Sequence, residues 1–358
     1  MTTVRKSGAL RLTAWGAPPR LVDLEVPVPR DTEVLIRVEA AGICQSDLHV
    51  LDAAADHLPY PVPFTLGHEV AGHVAAAGPA ATGIAVGERF AVYGPWGCGQ
   101  CGRCAIGHDN YCDRRGSLSW SGAGLGRDGG MAEHMLVPDR RYLVPIGDLD
   151  AAQAAPLTDA GLTPYHAIAA LTGKLREGTT VAVIGVGGLG HLAIQILKAI
   201  TPSRVLAVDV RDDALELAHR SGADLTTLTR PDSGKVLRAA TEGTGVDAVF
   251  DFVGNDETLA LGARALRAGG DLVRVGSGGG QLTITKPGPL PQGGTLSLPF
   301  WGTQPELHAV IALARTGRLR VETELFPLSA AHSALDRLRA GRIRGRAVLV
   351  PTGPGELP

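Results

Sequence analysis

A glycine-rich turn separates two different sequence patterns in VAVIGVGGLGHLAIQ, residues 181–195. The residues before the turn form a continuous apolar run typical of a buried strand, and those after it have the spacing of a helix. From Thr179 to Gly276 strand and helix patterns alternate in the same way, with Gly222 and Gly269 expected at helix C-caps. This alternation predicts a parallel sheet whose strands are joined by right-handed helical crossovers.

The turn itself predicts a dinucleotide-binding site. Gly185, Gly187 and Gly190 form the pattern G-x-G-x-x-G, which Gly188 and Leu189 complete. In that motif the glycines allow a tight turn, a close approach of the backbone to a pyrophosphate, and close packing of the helix on the strand. The helix N-terminus then offers free N–H groups to the phosphates.

The next strand pattern, RVLAVDV, carries an acidic residue suited to such a site. Asp209 follows Gly190 by nineteen residues, where a carboxylate can bind the ribose 2′-hydroxyl and repel the extra phosphate of NADP. NAD is therefore the expected cofactor, and Arg211 leaves NADP open as an alternative. A glycine-rich turn without a ligand is the other interpretation.

Four of the five cysteines crowd into fifteen residues, CGQCGRCAIGHDNYC. The spacing is too tight for a disulfide framework, and no secretion signal is recognisable. Four thiolates can surround one Zn²⁺ with no position left open, which predicts a structural metal on Cys98, Cys101, Cys104 and Cys112. A four-iron cluster is the alternative, but its motif has a shorter final spacing.

The fifth cysteine, Cys44 in AAGICQSDLH, belongs to a second candidate group. His68 and Glu69 lie in LGHEVAGH, and Asp159 lies in PLTDAGLTPYHA. Zn²⁺ accepts thiolate, imidazole and carboxylate, and catalytic sites use three protein ligands so that the fourth position can take water or substrate. Two alternatives stay open: Cys44 as an inert buried thiol, and Asp159 as the cap of a helix that begins near Thr163.

The rest of the chain predicts a second, β-rich domain. Residues 1–155 contain short strand patterns with frequent Gly and Pro, and the last sixty contain two helical patterns and a closing strand. A hydrophobic fraction of 44% over 358 residues is enough for two cores. The net charge of −2 and the lack of a long apolar run favour a small-molecule ligand over nucleic acid or a membrane, and the cytoplasm as location.

Together these motifs resemble the zinc-dependent medium-chain alcohol dehydrogenases, and most closely the bacterial NAD-dependent secondary alcohol dehydrogenases. The resemblance covers essentially the whole chain. It is carried by G-I-C-Q-S-D at 42–47, G-H-E at 67–69, the four-cysteine group, D-A-G-L-T-P-Y-H at 159–166, and G-V-G-G-L-G at 185–190. Many family members have Cys where this chain has Asp159, whereas the bacterial group carries Asp.

The resemblance implies an α/β fold in three segments. Residues 1–158 would form a GroES-like, β-rich catalytic domain with a structural zinc lobe at 95–113. Residues 159–297 would form a doubly wound Rossmann domain that binds NAD, and 298–358 would complete the catalytic domain. It also implies two zinc ions per chain, NAD(H), and a homo-oligomer, either a tetramer or a dimer.

Residue by residue, the resemblance implies that Cys44, His68 and Asp159 hold a catalytic zinc. Glu69 would be an outer-sphere or alternate ligand, with a simple surface acid as the alternative, and Asp47 would orient His68. Zinc would stabilise the alkoxide of a secondary or primary alcohol while its hydride passes to NAD, with ketone reduction as the reverse reaction.

Further roles follow from the same resemblance. Ser46 would bond the substrate oxygen, and His49 would pass the proton through the cofactor ribose to solvent, with an exposed histidine at a helix start as the alternative. Thr163 would contact the nicotinamide. Arg344 would contact the pyrophosphate, although Arg342 and Arg346 are close enough in sequence to share that assignment.

Three aromatic residues, Tyr60, Trp96 and Trp301, would border an apolar substrate pocket, and core packing is the alternative for each. Two other functions stay open. One is a polyol or aldehyde dehydrogenase of the same fold, which would need a more polar pocket. The other is a nucleotide-binding protein without catalysis.

Overall fold

The computed structural model describes residues 5–55, 57–230 and 233–351. The chain divides into two compact units, one formed by Met1–Asp159 with Thr303–Pro358 and the other by Ala160–Gly302. The described part contains no helix that is long and apolar enough to span a lipid bilayer.

The strands of the described residues vary widely in length, and the longest, β3, belongs to the first unit. In chain order they are β1 Lys6–Leu12, β2 Arg20–Glu25, β3 Val34–Ile43, β4 Phe64–Thr65, β5 Glu69–Ala77, β6 Arg89–Val92, β7 Gly122–Ala123, β8 Gly126–Arg127, β9 His134–Val137, β10 Leu143–Pro145, β11 Thr180–Ile184, β12 Arg204–Asp209, β13 Leu225–Leu228, β14 Val246–Asp251, β15 Leu266–Arg274, β16 Thr295–Ser297, β17 Thr323–Pro327 and β18 Arg346–Val350.

The helices of the same residues lie mostly in the second half of the chain. They are α1 Gln45–Asp52, α2 Gly102–Ala105, α3 Ala151–Pro156, α4 Leu162–Ala169, α5 Gly190–Ile200, α6 Asp212–Arg220, α7 Ser233–Ala239, α8 Asp256–Ala265, α9 Gln304–Arg315 and α10 Ala331–Arg339. A π-helical turn, Leu157–Gly161, connects α3 to α4.

The first unit is built on a sheet in the order β10-β6-β5-β3-β18-β17, with β9 also paired to β3. A smaller sheet has the order β2-β1-β4. Strand β3 lies between β5 and β18, and Gly42 is opposite Glu69 on one side and Val348 on the other. Strand β18 therefore lies next to β3, the strand that leads to Cys44.

The second unit is a six-stranded parallel sheet in the order β13-β12-β11-β14-β15-β16. Every residue of β11 is buried, as expected for a parallel strand covered on both faces. Counted along the chain, the strand order is 3-2-1-4-5-6, the order of doubly wound dinucleotide-binding sheets. The predicted α/β class with a Rossmann sheet is confirmed.

One sequence prediction about this sheet is wrong. Gly222 does follow a helix, α6, and has φ +99°, but Gly269 lies inside β15 with φ +74°. Helix α8 ends earlier because its C-cap, Leu266, is extended. The pairing of β14 with β15 then shifts register between Val246 and Ala248, so the glycine lies in an irregular stretch of strand and not at a helix end.

Candidate metal and nucleotide sites

The structure brings Cys44, His68 and Asp159 together. Each offers one ligand atom, and these atoms all lie within 4.8 Å of one another. The Oδ2 atom of Asp159 is 3.3 Å from the Sγ atom of Cys44 and 3.5 Å from the Nε2 atom of His68. Thiolate, imidazole and carboxylate form a donor set that fits Zn²⁺, and three ligands are the number found in catalytic sites.

Each candidate ligand lies where one secondary-structure element gives way to the next. Cys44 is the N-cap of α1, directly after β3, and His68 immediately precedes β5. Asp159 lies in the π-helical turn, a local widening of a helix that is frequent at functional sites. The N-cap of α4 is Gly161, without a side-chain cap, so capping does not explain the acid at position 159.

The carboxylate of Asp47 lies next to two of the three candidate ligands, Cys44 and His68. One carboxylate oxygen accepts a hydrogen bond from the Cys44 backbone N–H at 2.8 Å, and the other lies 3.4 Å from Nδ1 of His68. Burial alone would lower the pKa of His68, but the carboxylates of Asp47 and Asp159 raise that pKa well above its usual range. The surroundings therefore favour positive charge at this place, as a metal site requires.

Glu69 and Arg346 form a buried ion pair beside these ligands. The Nε atom of Arg346 donates to Oε2 of Glu69 at 2.9 Å, and Nη2 makes a second bond to Oε1. The same Nη2 is 3.4 Å from Oδ2 of Asp159. Glu69 is 0% exposed, so it is not a surface acid, and the group of mutually close ligand atoms consists of Cys44, His68 and Asp159 without it.

The four-cysteine group forms a second compact cluster. The sulfur of Cys101 lies 3.4 Å from that of Cys104 and 4.0 Å from that of Cys112, and the sulfurs of Cys98 and Cys104 are 4.0 Å apart. A tetrahedral Zn²⁺ with four sulfur ligands requires sulfur separations of about 3.8 Å. The cluster therefore fits a closed, structural zinc.

The loop around the four cysteines lowers the pKa of the Cys98 and Cys101 thiols, whereas burial raises the pKa of Cys104. The backbone N–H of Cys101 donates to the Cys98 sulfur, and the backbone N–H of Cys104 donates to the Cys101 sulfur. Backbone N–H groups, that of Gln100 foremost, lower the pKa of Cys98 to about 6. Arg141 binds the Cys104 carbonyl at 3.1 Å and the buried Asp109 at 2.6 Å, which ties the lobe to the strands behind it.

The glycine turn has the shape that a nucleotide site needs. A Cβ atom added at Gly190 would lie 1.9 Å from the carbonyl oxygen of Gly185, so the start of α5 packs directly on the end of β11. A Cβ atom added at Gly187 would meet no atom within 4 Å. Gly187 therefore faces open space, where a phosphate can approach the backbone.

Asp209 lies at the end of β12, beside this turn. One carboxylate oxygen accepts the backbone N–H of Val186 at 2.7 Å, and the other accepts that of Arg211 at 3.0 Å. The Arg211 side chain is 3.8 Å from Asp209 and 3.7 Å from Asp213. The carboxylate is thus held next to the glycine turn, and the nearby guanidinium already has carboxylate neighbours.

Ser46, His49 and Tyr60 line one cavity of about 410 Å³ in the first unit, together with Val50, Asp52, Ala53, Ala54, His57, Leu58 and Leu125. The hydroxyl oxygen of Ser46 is 3.6 Å from the Cys44 sulfur. The Tyr60 hydroxyl donates to the Ser121 hydroxyl at 2.8 Å. This cavity therefore starts beside the candidate ligand Cys44, and about half of its lining residues are apolar.

The other predicted contact residues are not among those that line that cavity. Trp96 packs on the ring of Tyr142, with centroids 5.7 Å apart, and donates to the Tyr93 carbonyl. Trp301 belongs to the second unit, as does Thr163 in α4. Arg344 donates through its backbone to Glu324, and its Nε atom is 3.6 Å from Glu322. Their proposed ligand contacts stay predictions.

Sequence reasoning missed the position of Arg346. It was visible only as one of several arginines near the C-terminus, because its role depends on β18 pairing with β3 across about 300 residues of sequence. The available signal was an arginine that opens an otherwise apolar strand, RAVLV, which is buried throughout. A charge in such a strand needs a buried partner.

Comparisons with known proteins cover nearly the whole chain. Residues 30–148 match the family model of the alcohol dehydrogenase GroES-like domain, and residues 188–316 match that of zinc-binding dehydrogenases. The chain is 37% identical to an NAD-dependent alcohol dehydrogenase of Sulfurisphaera tokodaii over 353 residues, 96% of this chain and 99% of that relative.

Two solved structures are similar over nearly their full length. The alcohol dehydrogenase from the archaeon Aeropyrum pernix superimposes with a TM-score of 0.89 at 34% identity, covering 96% of this chain and 100% of that one. The acetophenone reductase from Geotrichum candidum, solved with NAD, gives 0.85 at 31% identity and 98% coverage of both chains.

Proposed function

Because the chain belongs to the zinc-dependent alcohol dehydrogenases of the medium-chain dehydrogenase/reductase family, we propose that it transfers a hydride between a secondary or primary alcohol and NAD. The observation that carries this proposal is the meeting of Cys44, His68 and Asp159 within 4.8 Å. When bound, a zinc ion supplies a Lewis acid for the alcohol or ketone oxygen, and NAD supplies the hydride acceptor.

The residues of the chain then have distinct tasks. Cys44, His68 and Asp159 would hold the metal, and Asp47 would fix the orientation of the first two. The Ser46 hydroxyl, on the cavity wall, would accept the hydrogen bond of the substrate hydroxyl. His49, exposed on the same wall, would pass the proton toward solvent.

The second metal would be structural. Four thiolates leave no coordination position for a substrate. We infer that zinc on Cys98, Cys101, Cys104 and Cys112 holds the lobe at 95–113 in shape, because that segment has little regular structure beyond the four residues of α2 and one short 3₁₀ turn.

For the cofactor we propose NAD rather than NADP. Gly185, Gly187 and Gly190 would accommodate the pyrophosphate, with Gly188 and Leu189 completing the turn. The Asp209 carboxylate would bind the adenosine ribose and repel a 2′-phosphate. Further contacts are proposed for two residues outside the turn, Thr163 with the nicotinamide and Arg344 with the pyrophosphate.

The substrate we propose carries an apolar alkyl or aryl substituent. Tyr60, Leu58 and Leu125 line the cavity that begins at Ser46, and an apolar group gains about 25 cal/mol for each Å² that it buries there. A polyol or an aldehyde hydrate would instead leave hydroxyl groups against these three side chains. Ketone reduction is the same reaction in reverse.

We also propose that the protein works as a homo-oligomer in the cytoplasm, as a tetramer or a dimer. Strand β16 lies at the edge of the second unit's sheet, and two large apolar side chains that directly follow it are exposed: Leu298 67% and Phe300 42%. Exposed apolar groups beside an unpaired strand edge favour pairing with another copy. Light scattering on the purified protein gives the mass directly.

The activity is tested by NADH formation at 340 nm. We expect turnover of 1-phenylethanol or 2-butanol with NAD⁺, and little with sorbitol. The Ser46→Ala variant should retain its metal and lose most of the turnover. Turnover of sorbitol but of no simple alcohol would favour a polyol dehydrogenase, and NAD⁺ binding without any turnover would favour a non-catalytic protein.

A further inference from the structure

The buried pair of Glu69 and Arg346 shares an atom with the candidate metal site. The Asp159 oxygen that lies near the Cys44 sulfur and the His68 nitrogen is also the one that lies 3.4 Å from Nη2 of Arg346. One guanidinium therefore contacts both the carboxylate that faces the ligand group and the Glu69 carboxylate. Arginine suits this place, since its planar fork can bind two oxygens at once.

The ion pair of Glu69 and Arg346 affects the charge balance of the candidate metal site. A thiolate from Cys44 and a carboxylate from Asp159 neutralise Zn²⁺, while Glu69 and Arg346 neutralise each other. Without the guanidinium, the site would contain an additional buried carboxylate directly after the ligand His68. An unpaired buried charge is costly, and a divalent cation would be its nearest compensation.

The sheet is built to keep this pair in place. Glu69 lies in β5 and Arg346 in β18, on the two sides of β3. The pair crosses β3 at Gly42, where an added Cβ atom would lie 1.9 Å from Oε2 of Glu69. The Arg346 side chain is 5% exposed and that of Glu69 is 0% exposed, so water does not replace either partner.

We propose that Arg346 is a positioning residue of the metal site, which holds the Glu69 carboxylate off the metal and so keeps the fourth coordination position open for substrate. This inference rests on the proposed function, because it assumes a metal on Cys44, His68 and Asp159. It predicts that removal of the guanidinium makes metal binding tighter. If Arg346 only stabilised the fold, its removal would make metal binding weaker.

The test compares the holoprotein with three variants: Arg346→Met, Arg346→Lys, and Arg346→Met combined with Glu69→Gln. Arg337→Met is the matched control, because Arg337 pairs with Glu324 at the half-exposed surface of the same unit. The first readout is the rate at which a chelator, dipicolinate, removes zinc. The second is the visible spectrum after Co²⁺ replaces the exchangeable zinc.

We expect Arg346→Met to lose the exchangeable zinc about tenfold more slowly than the wild type. Its Co²⁺ spectrum should weaken, as it does when a carboxylate adds to a four-coordinate ion. The double variant should return to wild-type behaviour, because it removes one positive and one negative charge. Arg346→Lys should lie between, since lysine keeps the charge but not the fork.

Zinc loss from Arg346→Met at the wild-type rate or faster, or a double variant that does not revert, would overturn the proposal. If Arg346→Met does not fold, Arg346→Lys decides, with an unchanged release rate counting against the proposal. A wild type that binds only the four-cysteine zinc overturns the proposed function as well. If the wild type binds two zinc ions and turns over alcohol normally, the proposed function stands, and a negative result with the variants overturns only the role of Arg346.

Discussion

The substitution of alanine at Gly187 and at Gly190 separates ligand contact from packing within one turn. The two glycines are three residues apart and receive the same methyl group. At Gly190 the methyl carbon would lie 1.9 Å from the Gly185 carbonyl oxygen, and ordinary contact begins at 3.4 Å. The end of β11 and the start of α5 would have to separate by about 1.5 Å, since 3.4 − 1.9 = 1.5.

In the protein without NAD, the two substitutions should have different effects on the melting temperature. Overpacking costs about 1–3 kcal/mol, so Gly190→Ala should lower the melting temperature by about 3–10 °C. Gly187→Ala meets open space, so it should leave that temperature unchanged or raise it slightly, because alanine has less freedom in the unfolded chain.

The order reverses for cofactor binding by the folded protein. The Gly187 methyl group would occupy the place of the pyrophosphate and remove hydrogen bonds worth about 1–3 kcal/mol, or about 10- to 100-fold in the dissociation constant of NAD⁺. Differential scanning fluorimetry and calorimetric titration measure the two quantities. A Gly187→Ala variant that binds NAD⁺ as the wild type does, or that unfolds as early as Gly190→Ala, would refute the reasoning.

Two other predictions concern charge. Asp209→Ser removes the carboxylate beside the glycine turn, so the ratio of kcat/KM for NADP⁺ over NAD⁺ should rise at least about tenfold; steady-state kinetics with both cofactors measures it, and an unchanged ratio would argue against a ribose contact. Burial, assisted by Arg37, lowers the pKa of His134 to about 4, whereas the unfolded value is about 6.5. The neutral imidazole thus stabilises the fold above about pH 6.5, and up to about 3 kcal/mol is lost as the pH falls toward 4. Urea unfolding at both pH values should show a smaller loss for His134→Gln than for the wild type, and equal losses would remove His134 as the cause.

Local patterns made part of the fold and of the site predictable. The shapes of the glycine turn at 185–190 and of the four-cysteine group could each be predicted from fifteen residues or fewer, because the relevant contacts are local. The second sheet follows from the alternation of strand and helix, since crossovers have one hand. The group of Cys44, His68 and Asp159 is not local: donor chemistry made it a candidate, and the resemblance to a known family supported it.

Long-range packing accounts for what could not be predicted. Arg346 reaches Glu69 only because the last strand pairs with β3, and no local pattern encodes that register. Gly269 resembled a helix cap because a glycine after a helix pattern usually is one, but the helix ended at Ala265. Trp96 packs against Tyr142, a partner that sequence spacing does not reveal.

The measurement that tests the central claim most directly is the zinc content per chain of the wild type and of Asp159→Ala, by inductively coupled plasma mass spectrometry. Asp148→Ala is the control, because the Asp148 side chain is 97% exposed. We expect about two zinc ions in the wild type and the control, and about one in Asp159→Ala, which keeps only the closed four-cysteine site. One zinc ion in all three proteins, or two in all three, would contradict the assignment of Cys44, His68 and Asp159 as a metal site.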